Sequence, residues 1–334
     1  MNAVPESGLT ANPPIREFRV SNDLLGDRAA LDAAWERDGY WFFRKVLDLG
    51  ALARLRAVYL KVLGDLGVLD TRHSDVAIYN GAPLDNYPIK MGGDPAIDPL
   101  LALDPMKAFV EDPPVRAFFT KVFGDEPFWV PNTEYHAVPP NPAHRGSRFN
   151  YVHCDGANNR GLPLRVCWIP VARIDEATGG LTLAEGLHQP RMNDFARPVA
   201  GIGQGVVPAD AWRRTEFEPG DVLMFSLDTP HSGLANRSDR YFRLSMDIRG
   251  MKKSENVPML GKVAAIDENA VTLVDDQGRS RTFRLTEDSF CRIWRGALTG
   301  TPLRKEEVPR LIKVGDPMYI AYERGNVVFM RPQH

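Results

Sequence analysis

From Phe128 onward the chain is a series of short apolar segments separated by proline and glycine. We interpret them as strands, because they are rich in β-branched and aromatic residues and are bounded by turn-forming residues. Many short strands with turn-rich connections are typical of a β-sandwich or jelly roll. Before the last third of the chain, the predicted strands cover residues 129–138, 149–154, 164–171, 181–184, 222–225 and 243–248.

The segment before these strands is mostly helical. Apolar residues recur at helical spacing between residues 25 and 69, in two stretches separated by a short apolar run from Tyr40 to Phe43. This pattern predicts a helix, a strand and a second helix. A further helix is predicted over residues 106–123. Two long irregular segments, around residues 83–95 and 190–211, have the length typical of binding loops.

The character of the chain changes again near residues 252–258. Beyond this point, alternating segments predict a three-stranded meander and then a hairpin formed by residues 318–322 and 326–330. We therefore predict a disordered tail (1–14), a jelly-roll domain with N-terminal helices (15–254) and a small β-barrel or β-sheet domain (255–334). The last domain shows no cluster suggestive of chemistry, so we expect it to have a structural role or to mediate homo-oligomerisation.

Composition excludes several classes of protein. Of the 334 residues, 43% are hydrophobic and 25% charged, and the formal net charge of -2 comes without a long run of like charges, which argues against nucleic-acid or membrane-surface binding. Residues 1–14 lack the basic start and apolar run of a signal peptide, and no segment has the length of a membrane span. Three cysteines at no metal-binding spacing predict reduced thiols and a cytoplasmic protein.

The most informative polar residues are His153, Asp155 and His231. On an extended strand, residues two apart point to the same face, so His153 and Asp155 can hold one metal ion between them. His231 would complete the set. Two imidazoles and one carboxylate on one face of an octahedral ion, with the other positions open, are typical of non-haem Fe(II) oxygenases. By the same alternation Cys154 faces away, and we interpret it as a small apolar filler.

Because a His-x-Asp sequence occurs by chance in many proteins, the surrounding sequence decides whether it indicates a metal site. Four segments provide that context: EATGGLTLAEGLHQ (176–189), EPGDVLMF (218–225), HSGLAN (231–236) and YFRLS (241–245). Together with RDGY (37–40), they resemble the phytanoyl-CoA dioxygenase family of Fe(II)/2-oxoglutarate oxygenases. The resemblance covers most of the first 250 residues. It implies a mainly β protein with flanking helices (α+β), a double-stranded β-helix (cupin-like jelly roll) as its core, and iron held by His153, Asp155 and His231.

In that family, an arginine about a dozen residues past the distal histidine binds the far carboxylate of 2-oxoglutarate. Arg243 fits this position because it follows an aromatic residue and opens a strand, and Arg240 and Arg237 are the alternatives. A guanidinium can clasp a carboxylate through two parallel hydrogen bonds. Ser245, two residues further along the strand, would face the same carboxylate. Trp168 occupies the place of a tryptophan that is common in the family.

Outside this context, Arg243 would be interpreted as pairing with Asp247 or Asp221 on the sheet surface. Another expectation concerns His188, to which we assign a structural role at the end of a turn. Tyr135 is a further candidate for contact with the cosubstrate, and the candidates for the substrate pocket are His136, Arg148, Asn158 and Asn132. The alternatives are a core role for His136 and a turn-capping role for Asn158.

The resemblance implies an enzyme that uses Fe(II), 2-oxoglutarate and O2 to oxidise a C–H bond of a small molecule, with release of succinate and CO2. Related halogenases carry a small residue in place of the carboxylate, so Asp155 favours hydroxylation. We expect a role in specialised or natural-product metabolism. The alternatives are a cupin-like metal enzyme that does not use 2-oxoglutarate and a non-catalytic jelly-roll binding protein.

Overall fold

The computed structural model describes residues 13–73, 75–84, 104–140, 152–159, 162–188, 207–291 and 305–333. These residues form fifteen strands in three sheets together with five α-helices. Nearly all strand pairs are antiparallel, and the protein is therefore mainly β with a few helices, as the sequence predicted. Most of the two segments expected to form long loops lies outside the described residues. None of the helices that the structure describes is both long enough and apolar enough to cross a membrane.

The N-terminal part follows the predicted order of helix, strand and helix. Helix α1 (Arg28–Asp38) is capped at its start by the side chain of Asp27 and ends at Gly39, whose φ of 79° only glycine adopts without strain. Strand β1 (Tyr40–Phe43) follows directly and is fully buried. Helix α2 (Leu49–Asp65) then packs its apolar face against the main sheet.

The prediction of one helix over residues 106–123 was wrong. The chain forms two helices, α3 (Pro105–Glu111) and α4 (Pro113–Phe123), which are separated at Asp112. Pro113 has no N–H to continue the helical hydrogen bonds, and its ring disfavours the helical conformation of the residue before it. Asp112 accordingly adopts φ -57° and ψ 126°, which lies outside the helical region.

The main sheet has six strands. Its path is β1–β7–β4–β9–β2, and β3 also pairs with β9. One predicted strand, at residues 129–138, is two strands here, because residues 130–133 leave the ladder and Pro131 lacks a donor for it. The members besides β1 are β2 (Pro127–Trp129), β3 (Glu134–Val138), β4 (Arg165–Pro170), β7 (Val222–Ser226) and β9 (Arg243–Lys252).

A three-stranded sheet lies beside it, in the order β6–β5–β8. Its strands are β5 (Leu181–Ala184), β6 (Trp212–Arg213) and β8 (His231–Gly233). The predicted strand at residues 149–154 is not formed in its described part, where only His153 makes a single bridge, to His231. The chain turns instead into a short 3-10 helix (Asp155–Asn158).

The C-terminal residues form a second six-stranded sheet, ordered β12–β11–β10–β14–β15–β13, that contains the predicted meander and hairpin. Tyr319 and Phe329 from this sheet belong to the same apolar cluster as Val130 and Met251, so the two parts share buried contacts. The domain boundary near residue 255 stays a prediction. The elements are β10 (Met259–Ile266), β11 (Ala270–Val274), β12 (Ser280–Arg284), β13 (Phe290–Cys291), α5 (Val308–Leu311), β14 (Pro317–Glu323) and β15 (Asn326–Pro332).

Candidate active site

The structure brings His153, Asp155 and His231 together. The backbones of His153 and His231 are paired, and each N–H donates to the other's carbonyl oxygen at 2.9 Å. Asp155 lies two residues further on, at the first residue of the 3-10 helix. One nitrogen of each imidazole and one carboxylate oxygen of Asp155 all lie within 4.8 Å of one another. The sequence argument placed Asp155 on a strand, but the 3-10 turn directs its carboxylate to the same point.

The hydrogen bonds of His231 determine which of its nitrogens is available. Its Nδ1 lies 3.0 Å from the carbonyl oxygen of Thr229. Because a carbonyl only accepts, Nδ1 carries the proton and Nε2 keeps its lone pair for a metal ion. His231 is buried, and its ring packs 4.8 Å from the ring of Phe225, which limits its rotation.

A buried arginine supports Asp155. The Arg249 guanidinium donates from Nη2 to Oδ2 of Asp155 at 2.9 Å and from Nη1 to the carbonyl oxygen of Asn132 at 3.2 Å. Burial opposes ionisation of Asp155, but the positive charge of Arg249, with contributions from His231 and His153, outweighs it and lowers the pKa of the carboxyl group. The carboxylate is therefore charged at neutral pH and suited to hold a cation.

Arg243 is buried in the same cavity and lacks an acidic partner. Its Nη1 donates to the carbonyl oxygens of Leu234 and Gly180, the latter at 3.3 Å, while its Nε has no hydrogen-bond partner in the described part of the chain. Among the described carboxylates, none forms an ion pair with it. Burial lowers its pKa to about 10, and the nearby charge of Asp247 only partly offsets this. An unpaired buried guanidinium is costly, so this arrangement suits an anionic ligand.

The rival arginines are placed differently. Arg237 and Arg240 are both exposed, and Arg240 donates to the hydroxyl of Tyr241 at 2.7 Å. Neither lines the cavity that contains the histidines, whereas Arg243 does.

Strand alternation explains the rest of the cavity wall. Every second residue of β9 from Arg243 to Arg249 faces the cavity, including Ser245, whose buried Oγ has no hydrogen-bond partner among the described residues. Strand β3 contributes Glu134, His136 and Val138, and β4 contributes Trp168. The full lining is Glu134, His136, Val138, His153, Asp155, Trp168, Gly180, Leu181, His231, Gly233, Arg243, Ser245, Asp247 and Arg249.

Two of the remaining candidates lie away from the cavity. Tyr135 points to the opposite face of β3, because alternation that brings His136 inward turns Tyr135 outward, and its hydroxyl accepts from the N–H of Met106 at 3.0 Å. Contrary to the expectation that it contacts the cosubstrate, Tyr135 does not line the cavity. Asn132 is buried behind the cavity and contacts Arg249 through its backbone carbonyl.

Two further candidates fall outside what the structure describes, namely Arg148 and the side chain of Asn158. The remaining histidine, His188, is buried, and its ring packs over Gly39 at the end of α1. Its contact with the backbone at the end of a helix agrees with the structural role expected for it.

Sequence reasoning did not assign three charged residues to the cavity that they line: Glu134, Asp247 and Arg249. His136 Nε2 lies 3.2 Å from Oδ2 of Asp247 and 3.8 Å from Oε2 of Glu134, and Glu134 Oε1 lies 3.7 Å from Arg249. A usable signal was present, because Asp247 and Arg249 continue the alternation that begins at Arg243. The predicted strand stopped at residue 248, and Arg249 was therefore not considered.

Comparison with known proteins gave relatives but no matching family model. Two curated relatives are both named 1-deoxypentalenic acid 11-beta-hydroxylase. The protein from Streptomyces arenae is 29% identical over 249 residues, which are 70% of this chain and 84% of that protein. The protein from Streptomyces exfoliatus is 28% identical over 242 residues, which are 68% of this chain and 82% of that protein.

Among solved structures, the chain is similar to the epimerase SnoN in complex with Fe3+, alpha-ketoglutarate and nogalamycin RO. The identity is 22% and the TM-score 0.44, and the match covers 68% of this chain and 85% of that one.

Proposed function

We propose that the protein is an Fe(II)/2-oxoglutarate-dependent oxygenase that hydroxylates a C–H bond of a small molecule in natural-product biosynthesis. One observation carries this proposal: a two-histidine, one-carboxylate cluster shares a single cavity with a buried arginine that forms no ion pair with any described carboxylate. The first matches the donors that non-haem Fe(II) oxygenases use, and the second matches the charge of a dicarboxylate cosubstrate. The two curated relatives are hydroxylases by name, which supports the same reaction class.

In this proposal His153, Asp155 and His231 hold the iron. When bound, the iron supplies the activation of O2 that is coupled to decarboxylation of 2-oxoglutarate to succinate and CO2. The Thr229 carbonyl keeps the proton of His231 on Nδ1, so that Nε2 faces the metal. Arg243 binds the far carboxylate of 2-oxoglutarate, with Ser245 as a second donor, and the indole of Trp168 forms part of the cavity wall.

Several finer statements belong to the same proposal. We assign the chain to the phytanoyl-CoA dioxygenase-like oxygenases with a double-stranded β-helix core, on the motifs quoted above and the antiparallel sheets around the cavity. The three cysteines are free, which supports a cytoplasmic location. The C-terminal sheet is assigned a structural or oligomerisation role, because the cavity residues all precede it in the chain.

Neither of the two alternative functions explains the burial of Arg243 as well as the proposed oxygenase function does. A cupin-like metal enzyme without 2-oxoglutarate, or a non-catalytic binding protein, has no need of a buried guanidinium that lacks an acidic partner. Burial of such a group costs free energy that an anionic cosubstrate would recover.

The proposal is tested by measuring succinate formation from 2-oxoglutarate with purified, metal-free protein. We expect turnover that requires both added Fe(II) and O2, that is lost in His231→Ala and that is retained in Cys154→Ser. The acid in the relatives' name, 1-deoxypentalenic acid, is the first substrate to add, and close analogues follow. Succinate formation that persists without iron, or in His231→Ala, would contradict the proposal.

A further inference from the structure

Arg249 is fixed more tightly than charge neutralisation alone requires. It is 3% exposed at its side chain and lies near the end of β9. One guanidinium nitrogen donates to Oδ2 of Asp155 and the other to the backbone carbonyl of Asn132, while Glu134 lies 3.7 Å away. Contacts on several sides of a planar group determine both its position and the orientation of its plane.

This contact distinguishes the two oxygens of the Asp155 carboxylate. Oδ2 is engaged by Arg249 at 2.9 Å, whereas Oδ1 lies 3.8 Å from Nε2 of His153, on the side of the predicted metal ligands. A carboxylate with two unengaged oxygens can bind a metal ion through one oxygen or both. With Oδ2 engaged by Arg249, Oδ1 is the oxygen that faces the histidines.

We propose that Arg249 is a positioning residue that restricts Asp155 to binding the metal through Oδ1 alone. The inference rests on the proposed function. An octahedral ion held by three protein donors keeps three open positions, which a bidentate 2-oxoacid and O2 together fill. If Asp155 bound through both oxygens, it would occupy one of these positions. Arg249 thus preserves the position that O2 requires.

Lysine is not equivalent at this position. A single ammonium group on a flexible chain cannot donate simultaneously to Asp155 and to the Asn132 carbonyl in the planar arrangement that Arg249 adopts. Arg249→Lys therefore keeps the buried positive charge while removing the geometric restraint. A purely structural role predicts that this variant loses stability without any change at the metal.

The test compares Arg249→Lys with the wild-type protein, using Co(II) alone as the probe. We expect the variant to bind Co(II) about 10- to 100-fold more weakly, which is the usual effect of losing a hydrogen bond to a ligand. We also expect a change in the visible Co(II) spectrum that reports the altered coordination. Arg173→Lys, at an exposed arginine paired with Glu216, is the matched control and should leave the Co(II) affinity and the Co(II) spectrum unchanged. Unchanged Co(II) affinity and spectrum in a folded Arg249→Lys would overturn the proposal.

A second measurement does not depend on a variant of Arg249. Infrared difference spectra of the wild-type protein on binding Zn(II) report how a carboxylate binds, because one-oxygen coordination separates its two stretching bands more widely than two-oxygen coordination. The proposal predicts the wide separation for Asp155, identified by its loss in Asp155→Ala. The narrow separation would overturn it even if Arg249→Lys fails to fold. A wild-type protein that binds no metal would instead refute the proposed function itself.

Discussion

Replacement of Arg243 by methionine tests the assignment of the cosubstrate site. Methionine has a similar length and no charge, so it removes the guanidinium and fills most of its volume. Among the residues that the structure describes, Arg243 donates only to two backbone carbonyls, and the Gly180 carbonyl also accepts from the N–H of Leu234 at 2.8 Å. The change therefore removes a costly buried charge and leaves few groups without partners. We expect the free energy of unfolding to stay within about 1 kcal/mol of the wild-type value.

The effect of Arg243→Met on the affinity for 2-oxoglutarate should be much larger than its effect on stability. A hydrogen bond to a charged group contributes about 1.5 to 3 kcal/mol, and a bidentate contact contains two of them. Ser245 and the metal would retain part of the binding, so we take a loss of about 3 kcal/mol, which corresponds to about a 100-fold weaker affinity. Arg243→Lys should recover only part of it, because one ammonium cannot form two parallel hydrogen bonds.

The assay is anaerobic titration of the Fe(II)-loaded protein with 2-oxoglutarate, followed by visible absorption. Arg240→Met is the matched control, because Arg240 is exposed, donates to the hydroxyl of Tyr241 and does not line the cavity. We expect it to bind 2-oxoglutarate as the wild-type protein does. The reasoning is refuted if Arg243→Met binds 2-oxoglutarate normally, or if Arg240→Met is the variant that loses it.

Three further predictions concern the surroundings of the site. Gly39→Ala should lower the free energy of unfolding, measured by urea denaturation, by about 1 to 3 kcal/mol. The reason is that φ of Gly39 is 79° and that the added Cβ would lie 2.5 Å from the His188 ring. An unchanged denaturation midpoint would contradict this. Asp221→Ala should lower the free energy of unfolding by about 3 kcal/mol in the same assay without changing metal affinity. The Asp221 carboxylate is fully buried, and it accepts from Arg44 at 2.9 Å and from the N–H groups of Lys45 and Glu218 at 3.0 Å. Cys154→Ser should keep metal affinity within about twofold, because the Cys154 thiol donates to the Asp228 carbonyl. Burial, together with the nearby charges of Asp228 and Asp155, raises the pKa of the Cys154 thiol to about 12. The thiol of the wild-type protein should therefore react slowly with iodoacetamide at neutral pH.

Local patterns predicted those parts of the fold that depend on neighbouring residues. Strand β5 has the predicted limits, and the strand between α1 and α2 was also correct, because apolar runs bounded by glycine carry a clear local signal. The prediction of a single helix over residues 106–123 was wrong because the helical periodicity of the sequence continues across Pro113. In the structure, the effect of Pro113 on the backbone of Asp112 interrupts the helix. Within residues 152–154, the described part of the strand predicted at 149–154, a single long-range bridge from His153 to His231 takes the place of regular strand pairing.

The site shows the same division. Residue chemistry suggested His153, Asp155 and His231 as metal ligands, and the family resemblance added Arg243. The structure brings all four to one cavity. Tyr135 was misplaced because its side depends on strand register, which one sequence does not specify. Arg249 was missed because it lies one residue beyond the predicted end of its strand. Glu134 was missed because its position opposite Asp247 depends on β3 pairing with β9, two strands far apart in the sequence. The names of the two curated relatives agree with the hydroxylase activity that the family resemblance implied.

The central claim is that His153, Asp155 and His231 bind Fe(II) beside a 2-oxoglutarate site. Its most direct test is anaerobic visible spectroscopy of metal-free protein titrated first with Fe(II) and then with 2-oxoglutarate, in parallel with His153→Ala. We expect a weak charge-transfer band that requires both additions, saturates at one equivalent of iron and is lost in His153→Ala. A wild-type protein that gives no such band, or a variant that gives the same band, would contradict it.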